Sequence, residues 1–107
     1  MTFSVLFASS ADHLPPPEQE GQDTASKAVA ASAEVRIVNI SLAAGARLAE
    51  HSAPHPILVQ VLVGQIEFTC ADEVTRLAAG GLVSVAGGVR HAVRALTPSS
   101  LLITFLL

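Results

Sequence analysis

From residue 34 to residue 107, apolar runs rich in Val, Ile and Leu alternate with breaks at Gly, Pro and Asp, at intervals of about ten residues. Runs this short and this rich in β-branched residues predict strands. EVRIVNISL over 34–42 leads to Gly45, and ILVQVLV over 57–63 ends at Gly64. QIEFTC over 65–70 turns through Ala71 and Asp72 into EVTRLA over 73–78. Gly80 and Gly81 introduce LVSV over 82–85, and Gly87 and Gly88 mark a tight turn that requires positive φ. HAVRAL over 91–96 and LLITFLL over 101–107 complete the series. Many short strands with evenly spaced turn signals predict an all-β barrel or sandwich, and the lack of a recurring longer unit argues against a solenoid or propeller.

The chain ahead of residue 34 has another character. The stretch 11–26 is polar and interrupted by Pro15, Pro16 and Pro17, with Glu18, Glu20, Gly21 and Asp23 close behind. This is the composition of a linker or arm. TASKAVAASA over 24–33 is a good helix by intrinsic propensity, yet its strand-like continuation makes a strand equally admissible, and the sequence leaves both open. The resulting division is an arm over 1–33 and a β domain over 34–107. The opening MTFSVLFASSA has a brief apolar stretch with no Lys or Arg before it, so it is read as a strand or arm rather than a signal peptide, and a cytoplasmic location is expected.

Composition narrows the functions. The 107 residues suffice for one domain with a real core. Half of them are hydrophobic and only 14% are charged, against about 25% in an ordinary soluble domain. So few charges leave apolar surface for a partner to cover, and a homodimer is expected. The net charge of −3, without a Lys/Arg cluster, argues against binding nucleic acid or a membrane surface. No apolar run reaches the roughly 18 residues of a membrane-spanning helix. Cys70 is the single cysteine, so an intramolecular disulfide is excluded, and no Cys/His spacing resembles a zinc finger or a thioredoxin-type pair.

Two segments, GARLAEHSAPHPILVQVLVG over 45–64 and GGLVSVAGGVRH over 80–91, resemble the two signature motifs of the cupin superfamily. Gly45, His51 and Gly64 match the first motif, G-x5-H-x-H-x3-4-E-x6-G. Gly80, Gly88 and His91 match the second, G-x5-P-x-G-x2-H-x3-N. The resemblance covers about residues 35 to 106. It implies a small antiparallel β-barrel, the RmlC-like jelly roll or double-stranded β-helix. It also implies that His51 and His91, two of the four family metal-ligand positions, approach each other inside that barrel. The departures are as informative: Ala53 stands at the second histidine position, Ile57 at the glutamate, Ala86 at the proline and Ala95 at the asparagine.

Other donors are few. His55 has the right parity relative to His51, but Pro54 and Pro56 flank it and place it on a loop at the barrel mouth. Gln60 lies three residues after Ile57, on the opposite face unless a bulge intervenes, and a neutral amide is a weak transition-metal ligand. Arg36 shares the parity of Val38, Ile40 and Leu42. At the rim of an apolar barrel it can clamp a carboxylate, snorkel, or pair with a surface acid. Glu50 and Glu67 read as outward carboxylates, Arg90 and Arg94 as structural, and Cys70 as a small hydrophobe.

The expectation is therefore a module that binds a small molecule inside the barrel, with a degenerate metal site and a pocket formed from His51, His91, His55, Gln60 and Arg36. Either no cofactor is present or a divalent Zn, Ni, Fe or Mn ion is held weakly by His51, His91 and His55, since stable sites recruit three or four protein donors. The alternative is a metal-dependent enzyme of the dioxygenase or isomerase type, using His51, His91 and either His55 or Gln60. A purely structural homo-oligomer is the third reading.

Overall fold

A computed structural model describes residues 4–9, 12–13, 15 and 23–107. Much of the predicted linker over 11–26 thus lies outside the described residues. The rest forms strands and turns: β1 (Thr24–Ala31), β2 (Val35–Leu42), β3 (Arg47–His51), β4 (Ile57–Val63), β5 (Gln65–Cys70), β6 (Glu73–Ala78), β7 (Leu82–Val85), β8 (His91–Ala95) and β9 (Ser99–Leu106). They pair into two antiparallel sheets, β1-β2-β9-β4-β7 and β3-β8-β5-β6. No helix among the described residues is long and apolar enough to cross a membrane.

Alternation along the strands explains why the two sheets face each other. In β4 the odd residues Ile57, Val59 and Val61 are almost wholly buried, and in β9 the matching positions are Leu101 and Ile103. Leu42 joins them from β2, while Ile66, Phe68, Val93 and Ala95 come from the second sheet. Each large side chain so buried contributes about 1.5–3 kcal/mol relative to exposure, and this enclosed core holds the sheets together.

The Ala-rich segment 24–33 resolves as a strand. β1 runs antiparallel to β2 from Thr24↔Leu42 to Ala31↔Arg36, with a bulge between Ala28 and Ala30. An isolated helix of this length is marginal in water, whereas the open edge of β2 offers a partner for every second backbone group. Tertiary pairing outweighs propensity, and the sheet begins at Thr24, ahead of the composition change at residue 34. Among the described arm residues, the Asp12 carboxylate accepts the N–H groups of Ala8 (2.8 Å) and Ser9 (3.2 Å). Phe7, Ala8, Ser9 and His13 meet Leu62 of β4 around a cavity of about 230 Å³.

The register gives the barrel two unlike ends. At one, β4 passes through Gly64 into β5, beside Leu42, Ser99 and Ala95, and all three of those residues are fully buried. At the other lie Arg36, Phe105 and Ile57, which are in register across β2, β9 and β4, together with the loop over 52–56 and the turn over 86–90.

Candidate functional site

β3 ends at His51 and β8 begins at His91, and these two residues are direct cross-strand partners. Opposed residues of an antiparallel pair project to the same face. The rings accordingly meet edge to face, with centroids 4.3 Å apart and planes 63° apart. His91 is 3% exposed and stacks on Phe68 at 5.9 Å, while His51 reaches the open end. Each ring is oriented by its own strand. His51 Nδ1 lies 2.9 Å from Ala49 O, and His91 Nδ1 lies 3.1 Å from Val89 O. A carbonyl only accepts, so each neutral ring carries its proton on Nδ1 and presents the Nε2 lone pair.

The loop over 52–56 carries His55 to the same end. The Gly88 N–H donates to Ala53 O (2.7 Å), and the Leu106 N–H donates to Pro56 O (3.1 Å), so the loop is tied to the β7–β8 turn on one side and to β9 on the other. Gly88 has the positive φ predicted for this turn, at 81°. Gly87 has a different requirement: a Cβ there would fall 2.6 Å from Pro54 O and 3.1 Å from His55 Cα. The two glycines thus let the second motif segment close on the first.

Between this loop, β2 and the end of β9 lies a pocket of about 440 Å³. Arg36, His51 and His55 supply its polar groups, and Ala53, Pro54, Phe105, Leu106 and Leu107 its apolar wall. Arg36 sits on the inner face in register with Phe105, and its guanidinium lies over the Phe105 ring, 4.6 Å from the centroid. The structure thereby brings together Arg36, His51 and His55, with His91 behind His51 and buried. Phe105 is a pocket residue that sequence reasoning missed. Its parity within 101–107 is readable, but its pairing with Arg36 depends on the β2–β9 register, which no local pattern fixes.

Gln60 is a correction. It alternates with buried Val59 and Val61, its pairing with Leu82 and Leu102 is regular, and the bulge in β4 comes only between Val61 and Val63. Its side chain therefore occupies the face opposite the core and does not line the pocket. Glu50 pairs with Arg90, and Glu67 pairs with Arg76 (3.9 Å) and Arg94 (3.8 Å). Arg47, Glu50, Glu67, Thr69 and Arg94 border a second cavity of about 310 Å³, which none of the histidines lines.

The donor set does not match that of a tightly held metal. Ile57, at the family's glutamate position, is 1% exposed and part of the core. Cys70 is the cross-strand partner of His91 on β5 and shares its face, a neighbour that the sequence does not reveal. Even so, no group of three or more His, Cys, Asp or Glu side chains among the described residues is arranged to hold an ion. His51 and His91 supply two imidazoles, fewer than the three protein ligands usual in a catalytic centre.

No protein-family model matches the sequence, and no curated protein matches it. Solved structures do resemble it. A cupin superfamily protein from Desulfitobacterium hafniense superposes with a TM-score of 0.79 at 25% identity, over 85% of this chain and 83% of that one. An RmlC-like cupin from Shewanella frigidimarina gives 0.76 at 21% identity, over 96% and 91%. A DMSP lyase from Ruegeria pomeroyi gives 0.74 at 22% identity, over 79% of this chain and 47% of that one. Structures of this fold thus include an enzyme. Strand order, the two-sheet core and these superpositions agree that the chain has the cupin fold, as an RmlC-like β-barrel.

Proposed function

We propose that this cupin binds a small organic molecule at the open end of its barrel, without a tightly held metal. The observation that carries the reading is the pocket of about 440 Å³ in which Arg36 of β2 meets His51 and His55 against an apolar wall that includes Phe105 of β9. A few placed polar groups in an otherwise apolar concavity are the usual make-up of a small-molecule site. The test is protein NMR of the histidine ring signals during titration with small organic compounds. Ligands are expected to shift the His51 and His55 signals, and the pocket-filling substitution Ala53→Phe is expected to abolish those shifts. Compounds that bind elsewhere while leaving both rings unmoved would overturn the reading.

A metal-dependent enzyme is the second reading. It is favoured by the two Nδ1 contacts, which leave the Nε2 atoms of His51 and His91 available as ligands. The two readings separate by elemental analysis after dialysis against a mild chelator. Less than one transition metal per chain is expected, because two imidazoles leave most of the coordination shell to water. Near-stoichiometric retention would promote the enzyme reading. Loss of that metal in His55→Ala would then identify His55 as the third ligand.

A further inference from the structure

We infer that the ligand of this pocket is an organic carboxylate with a compact apolar body, and that Arg36 is the residue that selects it. The inference rests on the small-molecule reading above and adds the chemical class.

Charge is the first argument. The lining contains Arg36, His51 and His55 and no Asp or Glu side chain. Arg76 and Arg94 share Glu67, and Arg90 holds Glu50. Arg36 and Arg47 have no such ion pair with an acidic side chain among the described residues, and of these two only Arg36, exposed at the pocket rim with the inward parity of β2, borders the histidine pocket. A fixed cation in a pocket without side-chain acids favours an anionic occupant.

Geometry supplies the second. Resting over Phe105 limits the rotamer freedom of a long side chain and so lowers the entropy lost when it grips a ligand. The guanidinium keeps its N–H donors in its own plane, where the two oxygens of a carboxylate accept them as a bidentate pair. Next to that cation the wall is apolar, with Phe105, Leu106 and Pro54. This combination accepts a charged head joined to an apolar body and gives a highly polar ligand little to bind.

Benzoate and its neutral isostere benzamide test the inference. In the wild-type protein, benzoate is expected to shift the His51 and His55 ring signals with a dissociation constant at least about tenfold below that of benzamide, the range of one charge-assisted hydrogen bond. Arg36→Met keeps the apolar reach of the side chain and removes the donors. In that variant the preference is expected to fall to about one, with benzamide binding unchanged. Equal binding of both compounds by the wild type, or a preference that survives Arg36→Met, overturns the carboxylate assignment and leaves the pocket reading standing. If neither compound moves the histidine signals, both readings are overturned. The wild-type comparison decides the matter even if Arg36→Met does not fold.

Discussion

The two ends of the barrel are built from the same strands and treat side chains in opposite ways. At the β4–β5 end, Leu42, Val61, Ile66, Ala95, Ser99 and Leu101 are all fully buried. Even the hydroxyl of Ser99 is turned inward on backbone carbonyls, donating to Thr97 O (2.7 Å) with Gln65 O at 3.2 Å. At the other end the same strands finish in Arg36, His51 and the partly buried Phe105, and a pocket replaces the core. One end supplies cohesion, which frees the other to hold polar groups whose burial would cost stability without partners. Substitutions at the closed end should therefore register in stability and substitutions at the open end in the site.

The largest effect is expected for Gly64→Ala. Gly64 has φ 91°, and a Cβ there would press on Pro98 O and Ser99 Oγ and come within 2.8 Å of Ser99 Cα. Left-handed backbone costs an L-residue about 1–2 kcal/mol and overpacking about 1–3 more, so a loss of about 2–5 kcal/mol is expected. Gly45→Ala is the control: its φ is 81°, but nothing stands within 4 Å of the added Cβ, so only the conformational cost applies. Urea denaturation at unchanged m-value measures both. If Gly64→Ala loses no more than Gly45→Ala, the closed end is not packed as tightly as described.

That asymmetry also separates what was legible in the sequence from what was not. β2, β4, β5 and β6 could be read from β-branched runs and turn signals, and in β5 the burial of Ile66 and Phe68 on one face also leaves period two in the sequence itself. The paired motif segments carried the fold, and with it the proximity of His51 and His91 that the β3–β8 register displays. β1 was undecidable, since Ala-rich sequence carries no period and its pairing with β2 is a non-local fact. The pocket was half readable. Arg36 and His55 follow from parity and flanking prolines, but Phe105 beneath the guanidinium and Cys70 beside His91 depend on registers between strands far apart in the chain. Gln60 went the other way, since including it required a bulge that the strand does not have at that point.

At the open end, Gly87→Ala should cost less stability and disturb the site more. The added Cβ meets the Pro54 carbonyl and His55 Cα, backbone atoms of the loop, and Gly87 carries no positive-φ penalty, so about 1–3 kcal/mol is expected in denaturation. Displacing the loop should break the bond from the Gly88 N–H to Ala53 O. Its signature is at least a tenfold faster exchange of the Gly88 amide together with a moved His55 ring signal. An amide that stays protected with His55 unmoved would mean that the β7–β8 turn does not position the loop.

The smallest effect concerns strain that the open end tolerates. The β5–β6 hairpin turns through Ala71 (φ 51°) and Asp72 (φ 66°), the non-glycine residues with positive φ among those described. It follows directly on Cys70, in the row of His91 and His51. Two successive residues with positive φ make the type I′ turn that suits the twist of a two-residue hairpin, yet alanine is a poor occupant of such a position. Ala71→Gly removes a left-handed penalty of about 1–2 kcal/mol and adds about 0.4–1 kcal/mol of unfolded-state entropy, so a net gain of up to about 1.6 kcal/mol, centred on ~0.8 kcal/mol, is expected. In a domain of this size that raises Tm by a few degrees. Because neither turn residue lines the pocket, the His51 and His55 ring signals should not change. A stabilised variant with unmoved histidines would show that the strain is incidental to the site. Moved histidines would show instead that the hairpin sets the position of the His51–His91 row, and the division between a cohesive end and a binding end would then have to include β5 and β6.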